Sequence, residues 1–263
     1  MSDTTTATND SGARPRGRVA LFVTCLVDLY RPEIGFAAVQ LLERAGFVVE
    51  VPRQGCCGQP NFNSGDRAGA GKIASRVIDR FAPFDYVVAP SGSCAAMLRV
   101  HYPGLFSAGS EARRAAARLA EKTFELTSFL YDIAGLREVA AELDGVVTYH
   151  DGCSGLRELG VARQPRELLK SISGIELREM NQPDACCGFG GLFCMKYPEI
   201  SERITGSKVR DILATDADYL VAGDLGCLLQ MAGTLERNGH AVKAVHVAEV
   251  LAGMIGPDRS ADH

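Results

Sequence analysis

Residues 18–25 read RVALFVTC, a short apolar run rich in β-branched residues that ends in Cys25. Such a run is typical of a buried strand. Residues 145–153 read GVVTYHDGC, a similar run that ends in Cys153, 128 positions further along the chain (25 to 153). A strand that ends in a cysteine is therefore predicted twice, once in each half of the chain.

The other cysteines repeat in the same way. Each half has one cysteine after its first strand, then an adjacent cysteine pair followed by glycine, then a fourth cysteine. The first set is Cys25, Cys56, Cys57 and Cys94, and the second set is Cys153, Cys186, Cys187 and Cys227. The pairs are 130 positions apart (56 to 186) and the fourth members 133 (94 to 227), and Cys194 belongs to neither set.

Four thiols per half are the donors that an iron–sulfur cluster or a zinc ion needs. Single buried thiols can serve as small apolar groups, but that role does not explain two matched sets. Residues 1–17 are polar and contain no secretory signal, so a cytoplasmic location is expected and disulfides are not. Adjacent cysteines fit a cluster of several irons better than one tetrahedral ion, although zinc in one half stays possible.

Strand and helix patterns alternate in both halves. Predicted strands cover residues 18–25, 47–51, 86–89, 145–153, 175–180 and 219–222, and predicted helices cover 36–45, 67–80, 95–100, 165–171, 199–213 and 228–237. Residues 126–130 and 245–249 are each interpreted as a strand entering a terminal helix. The pattern predicts an α/β fold of two pseudo-symmetric halves, each with a mainly parallel sheet flanked by helices. The cysteines would lie where strands end, which is where open α/β sheets bind ligands.

The predicted division of the chain is a disordered tail over residues 1–17, a first cysteine-rich repeat over 18–140, a second over 141–256 and a tail over 257–263. The net charge of −4 argues against nucleic-acid binding. No apolar stretch reaches the roughly 18 residues that a membrane span requires.

The repeated motif, Cys–x30–Cys-Cys-Gly–x35–Cys in the first half and Cys–x32–Cys-Cys-Gly–x38–Cys in the second, resembles the duplicated CCG cysteine-rich domain. That domain occurs in one of the subunits of heterodisulfide reductase, in glycolate oxidase iron–sulfur subunits and in one of the subunits of glycerol-3-phosphate dehydrogenase. Three further stretches, YHDGC at 149–153, QPRELL at 164–169 and ACCGFGG at 185–191, make residues 18–253 similar to the lactate-utilisation protein A family.

The resemblance implies an iron–sulfur oxidoreductase subunit of a complex that oxidises L-lactate to pyruvate. Electrons would pass through one or two clusters, [4Fe-4S] in type, whose iron is held by the eight cysteines. Implied partners are lactate-utilisation proteins B and C and a small 2-hydroxy acid substrate. The sequence has no dinucleotide or phosphate-loop fingerprint, so another subunit must share the hydride or electron chemistry. Two alternatives stay open: a heterodisulfide-type thiol/disulfide reductase subunit, and a non-enzymatic, zinc-stabilised interaction module.

Five further residues are candidates for the site. His150 could donate to a cluster sulfur or relay protons, and Arg157 could offset cluster charge or hold an anionic substrate. Ser91 and Asp224 stand where the broader CCG pattern has another cysteine; each could supply oxygen to iron or cap a helix. Cys194 has Ser64 as its counterpart 130 positions earlier (64 to 194), so a filler role is expected rather than ligation.

Overall fold

The computed structural model describes residues 16–255. The predicted tails therefore lie outside the described residues, except for residues 16 and 17. Arg16 is attached to the folded part, because its guanidinium donates a 2.7 Å hydrogen bond to the carbonyl of Ala134 and stacks on the Phe47 ring.

The first half is built around a four-stranded sheet. Its strands are β1 (Arg18–Leu21), β2 (Val48–Glu50), β3 (Tyr86–Ala89) and β4 (Thr123–Glu125). Its helices are α1 (Cys25–Tyr30), α2 (Glu33–Arg44), α3 (Gln59–Asn63), α4 (Arg67–Phe81), α5 (Gly92–Ala96), α6 (Glu111–Glu121) and α7 (Leu126–Ser128). A π-helical turn (Met97–His101) and a 3-10 turn (Tyr102–Leu105) follow α5, and another π-helical turn (Phe129–Ile133) follows α7.

The second half repeats this plan. Its strands are β5 (Glu142–His150), β6 (Ser173–Leu177), β7 (Tyr219–Ala222) and β8 (Lys243–His246). Its helices are α8 (Cys153–Leu159), α9 (Arg163–Lys170), α10 (Phe193–Lys196), α11 (Pro198–Leu213), α12 (Leu225–Arg237) and α13 (Val247–Leu251).

The two sheets have the same strand order and register. The orders are β2-β1-β3-β4 and β6-β5-β7-β8, and all pairs are parallel. Leu21 pairs with Val88 in the first sheet as Tyr149 pairs with Val221 in the second. The predicted α/β fold of two pseudo-symmetric halves is therefore confirmed. The strands are apolar runs because helices cover both faces of a parallel sheet and bury the strands between them.

Some predicted boundaries are wrong by part of a turn. The helices holding the fourth cysteines begin at Gly92 and Leu225, before Cys94 and Cys227 rather than after them. The Ser91 side chain accepts from the Cys94 backbone N–H and so places that cysteine in the first turn.

The terminal strands also end earlier than predicted. Residues 126–130 contain no strand, because β4 ends at Glu125, whose side chain accepts from the Ser128 backbone N–H and begins α7. In the second half β8 reaches His246, which caps α13 in the same position. The strand predicted within residues 245–249 is therefore limited to its first two residues.

The halves pack against each other reciprocally. Helix α5 lies on α8 while α12 lies on α1, and α2 lies on α13 while α7 lies on α9. Matched pairs of this kind are what an approximate two-fold axis produces. At one such contact Gly92 faces Gly155 so closely that a Cβ on Gly92 would lie 2.9 Å from the Gly155 Cα. At another, Arg31 binds both carboxylate oxygens of Glu249 at 2.9 and 2.7 Å.

Within residues 16–255, no helix combines the length and the apolar character that crossing a membrane would require.

Candidate metal centres

The fold brings the first cysteine set together at the carboxyl edge of its sheet. Cys25 is the first residue of α1, Cys56 and Cys57 lie in the loop after β2, and Cys94 lies on α5. The Sγ atoms of Cys57 and Cys94 are 3.3 Å apart. The thiols of Cys25 and Cys57 both reach hydrogen-bonding contact with Cys56, so the four sulfurs form one chain of contacts.

The second set has the same arrangement. Cys153 is the first residue of α8, Cys186 and Cys187 lie in the loop after β6, and Cys227 lies on α12. Cys187 is in hydrogen-bonding contact with both Cys186 and Cys227, and Cys153 contacts Cys186. In both sets the second cysteine of the pair and the fourth cysteine are buried, whereas the other two are half-buried.

One thiol in each set is made markedly acidic by its neighbours. The pKa of Cys56 lies far below its usual value because the thiols of Cys25 and Cys57 donate to its sulfur, and Cys186 is acidified in the same way by Cys153 and Cys187. Each acidic sulfur also accepts a backbone N–H at 3.3 Å, from Gly58 and Gly188 respectively. Thiolates are the form in which cysteine binds metals.

The glycine after each pair is required by the backbone. Gly58 and Gly188 have φ angles of +85° and +90°, which only glycine adopts at little cost. A Cβ on Gly188 would also lie 2.7 Å from the Ser201 carbonyl oxygen. This conformation aims the glycine N–H back at the sulfur two residues earlier, so the Cys-Cys-Gly triplet is one structural unit.

A cleft opens beside each set. The cleft at the first set has a volume of about 640 Å³ and the cleft at the second about 660 Å³. They share lining residues, so the two centres are neighbours: the common wall consists of Gln59, Ser93, Phe189, Gly191 and Asp224. Four soft donors, amide N–H groups aimed at sulfur and an adjoining cleft together fit an iron–sulfur cluster.

His150 lies inside the protein against the second set. Its side chain is fully buried, and neither ring nitrogen has a hydrogen-bond partner within residues 16–255. The ligand atoms of His150, Cys187 and Cys227 all lie within 4.8 Å of one another. Burial, reinforced by the Lys208 ammonium, lowers the pKa of His150 to about 3, so the imidazole is neutral at pH 7.

Arg157 and Cys194 do not line either cleft. The Arg157 guanidinium donates to the Asp184 carbonyl at 3.1 Å and does not pair with Glu158, which binds His101 at 2.6 Å instead. The Cys194 sulfur lies on α10 and contacts the Gly191 carbonyl, at 3.4 Å. The structure therefore keeps Cys194 out of the sulfur sets. Arg157 lies close enough to Cys153 for its positive charge to favour the thiolate, although the hydrogen bond with Cys186 and burial raise the pKa of that thiol overall.

Ser91 and Asp224 form a cap that crosses between the halves. Asp224 precedes α12 but does not cap it; its Oδ2 accepts from the Ser93 backbone N–H at 2.9 Å and from the Ser91 hydroxyl at 3.0 Å. A side chain of the second half thus caps α5 of the first. These contacts occupy Asp224 Oδ2 and the Ser91 hydroxyl proton within the wall between the clefts.

Sequence reasoning missed several polar groups behind the second set. The Lys208 side chain is fully buried and donates to the carbonyls of Gln182 and Pro183 at 2.6 and 3.1 Å. The Thr205 hydroxyl donates to the Cys187 carbonyl at 2.8 Å. The sequence did carry a signal for Lys208. It stands at helical spacing from the apolar residues Val209 and Ile212, so a polar residue occupies a position where burial is expected.

Two sets of four cysteines, each on its own four-stranded parallel sheet, define a tandem cysteine-rich protein. The CCG cysteine-rich domain family accordingly matches the chain twice, over residues 19–99 and 147–232. Curated relatives narrow the class: the chain is 46% identical over 235 residues to Lactate utilization protein A of Geobacillus kaustophilus, covering 89% of this chain and 98% of that protein. The chain belongs to the lactate utilization protein A family.

Other relatives agree. Lactate utilization protein A of Geobacillus sp. strain WCH70 is 45% identical, and Lactate utilization protein A 2 of Bacillus mycoides is 43% identical, each over the same shares of both chains. Among solved structures, a hypothetical protein from Helicobacter pylori shares the fold with a TM-score of 0.64 at 10% identity. That match covers 94% of this chain and 50% of the other.

Proposed function

We propose that this chain is an iron–sulfur subunit of a system that oxidises L-lactate to pyruvate, with a [4Fe-4S] cluster on each cysteine set. The observation that carries the cluster assignment is the twofold grouping of four sulfurs beside a cleft. The substrate comes from the relatives, which are named for lactate utilization. The proposal includes the division of the chain into a first cysteine-rich repeat over residues 18–140 and a second over residues 141–256.

The two centres suit the electron count of this reaction. Oxidation of lactate to pyruvate releases two electrons and two protons, and an iron–sulfur cluster accepts one electron at a time. Two neighbouring centres can therefore take the pair singly. In this chain the cysteines would hold the clusters, the N–H groups of Gly58 and Gly188 would stabilise thiolate charge, and the shared wall would separate the two centres. The proton and hydride chemistry belongs to partner subunits, for which lactate-utilisation proteins B and C are the candidates.

The first experiment measures iron and acid-labile sulfide in the anaerobically purified chain. Two [4Fe-4S] clusters require about eight of each per chain, with broad absorption near roughly 400 nm. Cys57→Ser and Cys187→Ser should each remove about half of the iron and half of the sulfide. A colourless protein without sulfide would refute the cluster assignment.

The second experiment tests the substrate. Deletion of the gene from its host should abolish growth on L-lactate but not on pyruvate, and the wild-type gene should restore it. Restoration by a gene carrying both cysteine substitutions would show that the centres are dispensable and would contradict the proposal.

Zinc in the second half is a second candidate. The group formed by His150, Cys187 and Cys227 has the donors of a zinc site. Metal analysis separates the two candidates, because a zinc site would hold one zinc and no sulfide in the second half.

A further inference from the structure

The two centres sit in different surroundings, although their cysteines match. The sheet registers make Phe22 the counterpart of His150, since Leu21 pairs with Val88 as Tyr149 pairs with Val221. Phe22 and His150 are both fully buried. The first half thus has an aromatic hydrocarbon where the second has an imidazole whose two nitrogens lack a partner in the described part of the chain.

The helices behind the Cys-Cys-Gly loops also differ in polarity, the helix of the second half being the more polar at its buried positions. The buried positions of α4 and α11 repeat at an offset of 131 (77 to 208), and three apolar residues of α4 are replaced by polar ones on α11. These substitutions are Ala70 to Ser201, Ala74 to Thr205 and Val77 to Lys208. The second centre therefore has a buried ammonium and hydroxyls nearby, where the first has methyl groups.

We propose that His150 donates a hydrogen bond to sulfur of the second centre, and that this bond gives the second centre a higher reduction potential than the first. The inference rests on the proposed function, since it presupposes a cluster in each half. His150 is placed for this role, because it lies within 4.8 Å of the sulfurs of Cys187 and Cys227 and no atom of residues 16–255 satisfies its ring nitrogens.

Hydrogen bonds to cluster sulfur and nearby positive charge both favour the more negative, reduced state of a cluster. A neutral imidazole has one N–H to give, and a buried N–H without a partner would be costly. Sulfur of the second centre would satisfy that N–H. The higher potential would favour electron transfer from the first centre to the second.

The test is an EPR-monitored potentiometric titration of the loaded wild-type chain, His150→Phe and His150→Gln. Phenylalanine is the residue that the first half itself uses at this position, and glutamine keeps an N–H donor. The wild type should show two one-electron waves. His150→Phe should lower only the upper wave, by about tenfold in the equilibrium constant for reduction, or about 59 mV. His150→Gln should keep most of the wild-type value.

A single unresolved wave in the wild type, or an upper wave that His150→Phe leaves in place, would overturn the inference. A second measurement does not depend on either variant. Pulsed EPR of the reduced wild-type chain, labelled with 15N-histidine, should show a weak nitrogen coupling typical of a hydrogen bond. No coupling, or a coupling as large as that of a nitrogen bound to iron, would contradict it.

Iron and sulfide are counted in the same samples. If they are absent, the proposed function fails. If they are present and the potentials do not respond to His150, only the present inference fails.

Discussion

The contact between Gly92 and Gly155 allows a prediction with its own control. A Cβ on Gly92 would lie 2.9 Å from the Gly155 Cα and 3.0 Å from the Gly155 nitrogen. Both are backbone atoms, so they cannot turn aside as a side chain could. Gly92→Ala must therefore push α5 away from α8 and strain the contact between the halves.

The expected magnitude follows from overpacking. Inserting a methyl group into a closely packed site costs about 1–3 kcal/mol. For a chain of this size, each kcal/mol corresponds to about 2–4 °C in the melting temperature. Gly92→Ala should thus melt about 4–8 °C below the wild type if the cost is about 2 kcal/mol.

The matching substitution on the other side of the contact, Gly155→Ala, is the control. Within residues 16–255, a Cβ on Gly155 would meet only the Gly92 Cα, at 3.7 Å, which is ordinary contact. Because glycine within a helix is about 0.5–1 kcal/mol less stable than alanine, Gly155→Ala on α8 should melt at or above the wild-type temperature. Calorimetry of anaerobically loaded protein, with equal iron content in all samples, measures both. If Gly92→Ala and Gly155→Ala melt at the same temperature, the predicted difference between the two sides of this contact is wrong.

Three further predictions concern single side chains. Asp224→Ala should lower the free energy of unfolding in urea by about 2 kcal/mol or more, because the Ser93 N–H and Ser91 hydroxyl lose a buried charged acceptor; Asp224→Asn should lose less. Cys194→Ser should keep the wild-type iron content, whereas Cys187→Ser should lose most of the second cluster, because only Cys187 lies within a sulfur set. The free energy of unfolding should fall as the pH drops from 7 to 5. Burial lowers the pKa of His246 to about 3 in the folded chain, so only the unfolded chain binds a proton at this histidine in that range; His246→Asn should show a shallower fall.

Each of these has an outcome that contradicts it. A wild-type urea midpoint for Asp224→Ala would mean that the cap between the halves contributes nothing. Bleaching of Cys194→Ser as complete as that of Cys187→Ser would give the second half five ligands. An unchanged pH slope for His246→Asn would assign the acid sensitivity to other groups.

The repeat made most of the fold predictable. Apolar strand runs are local features, so the strands β3 and β7 have the predicted bounds. Helix α6 was missed, although its buried residues Ala116, Leu119 and Ala120 recur at helical spacing and a local signal was therefore present.

The site was predictable as far as it depends on spacing. The grouping of the cysteines follows from their repeat, and the polar nature of Asp224 suggested a cap. Which helix Asp224 caps depends on how the halves pack, and no local pattern carries that information. Lys208 was missed although its place in the apolar pattern of α11 was a local signal, whereas its partners Gln182 and Pro183 lie on a separate loop that no local pattern connects to it.

The bond between Ser91 and Asp224 has a consequence for how such a protein can be assembled. The two residues occupy matched positions, 133 apart (91 to 224), and they meet each other across the halves. In a homodimer of a single repeat, matched residues would be identical, so this place would hold two hydroxyls or two buried carboxylates. Two carboxylates would repel each other there. Joining both copies in one polypeptide lets one copy supply the donor and the other the acceptor, so each half is fitted to a partner different from itself.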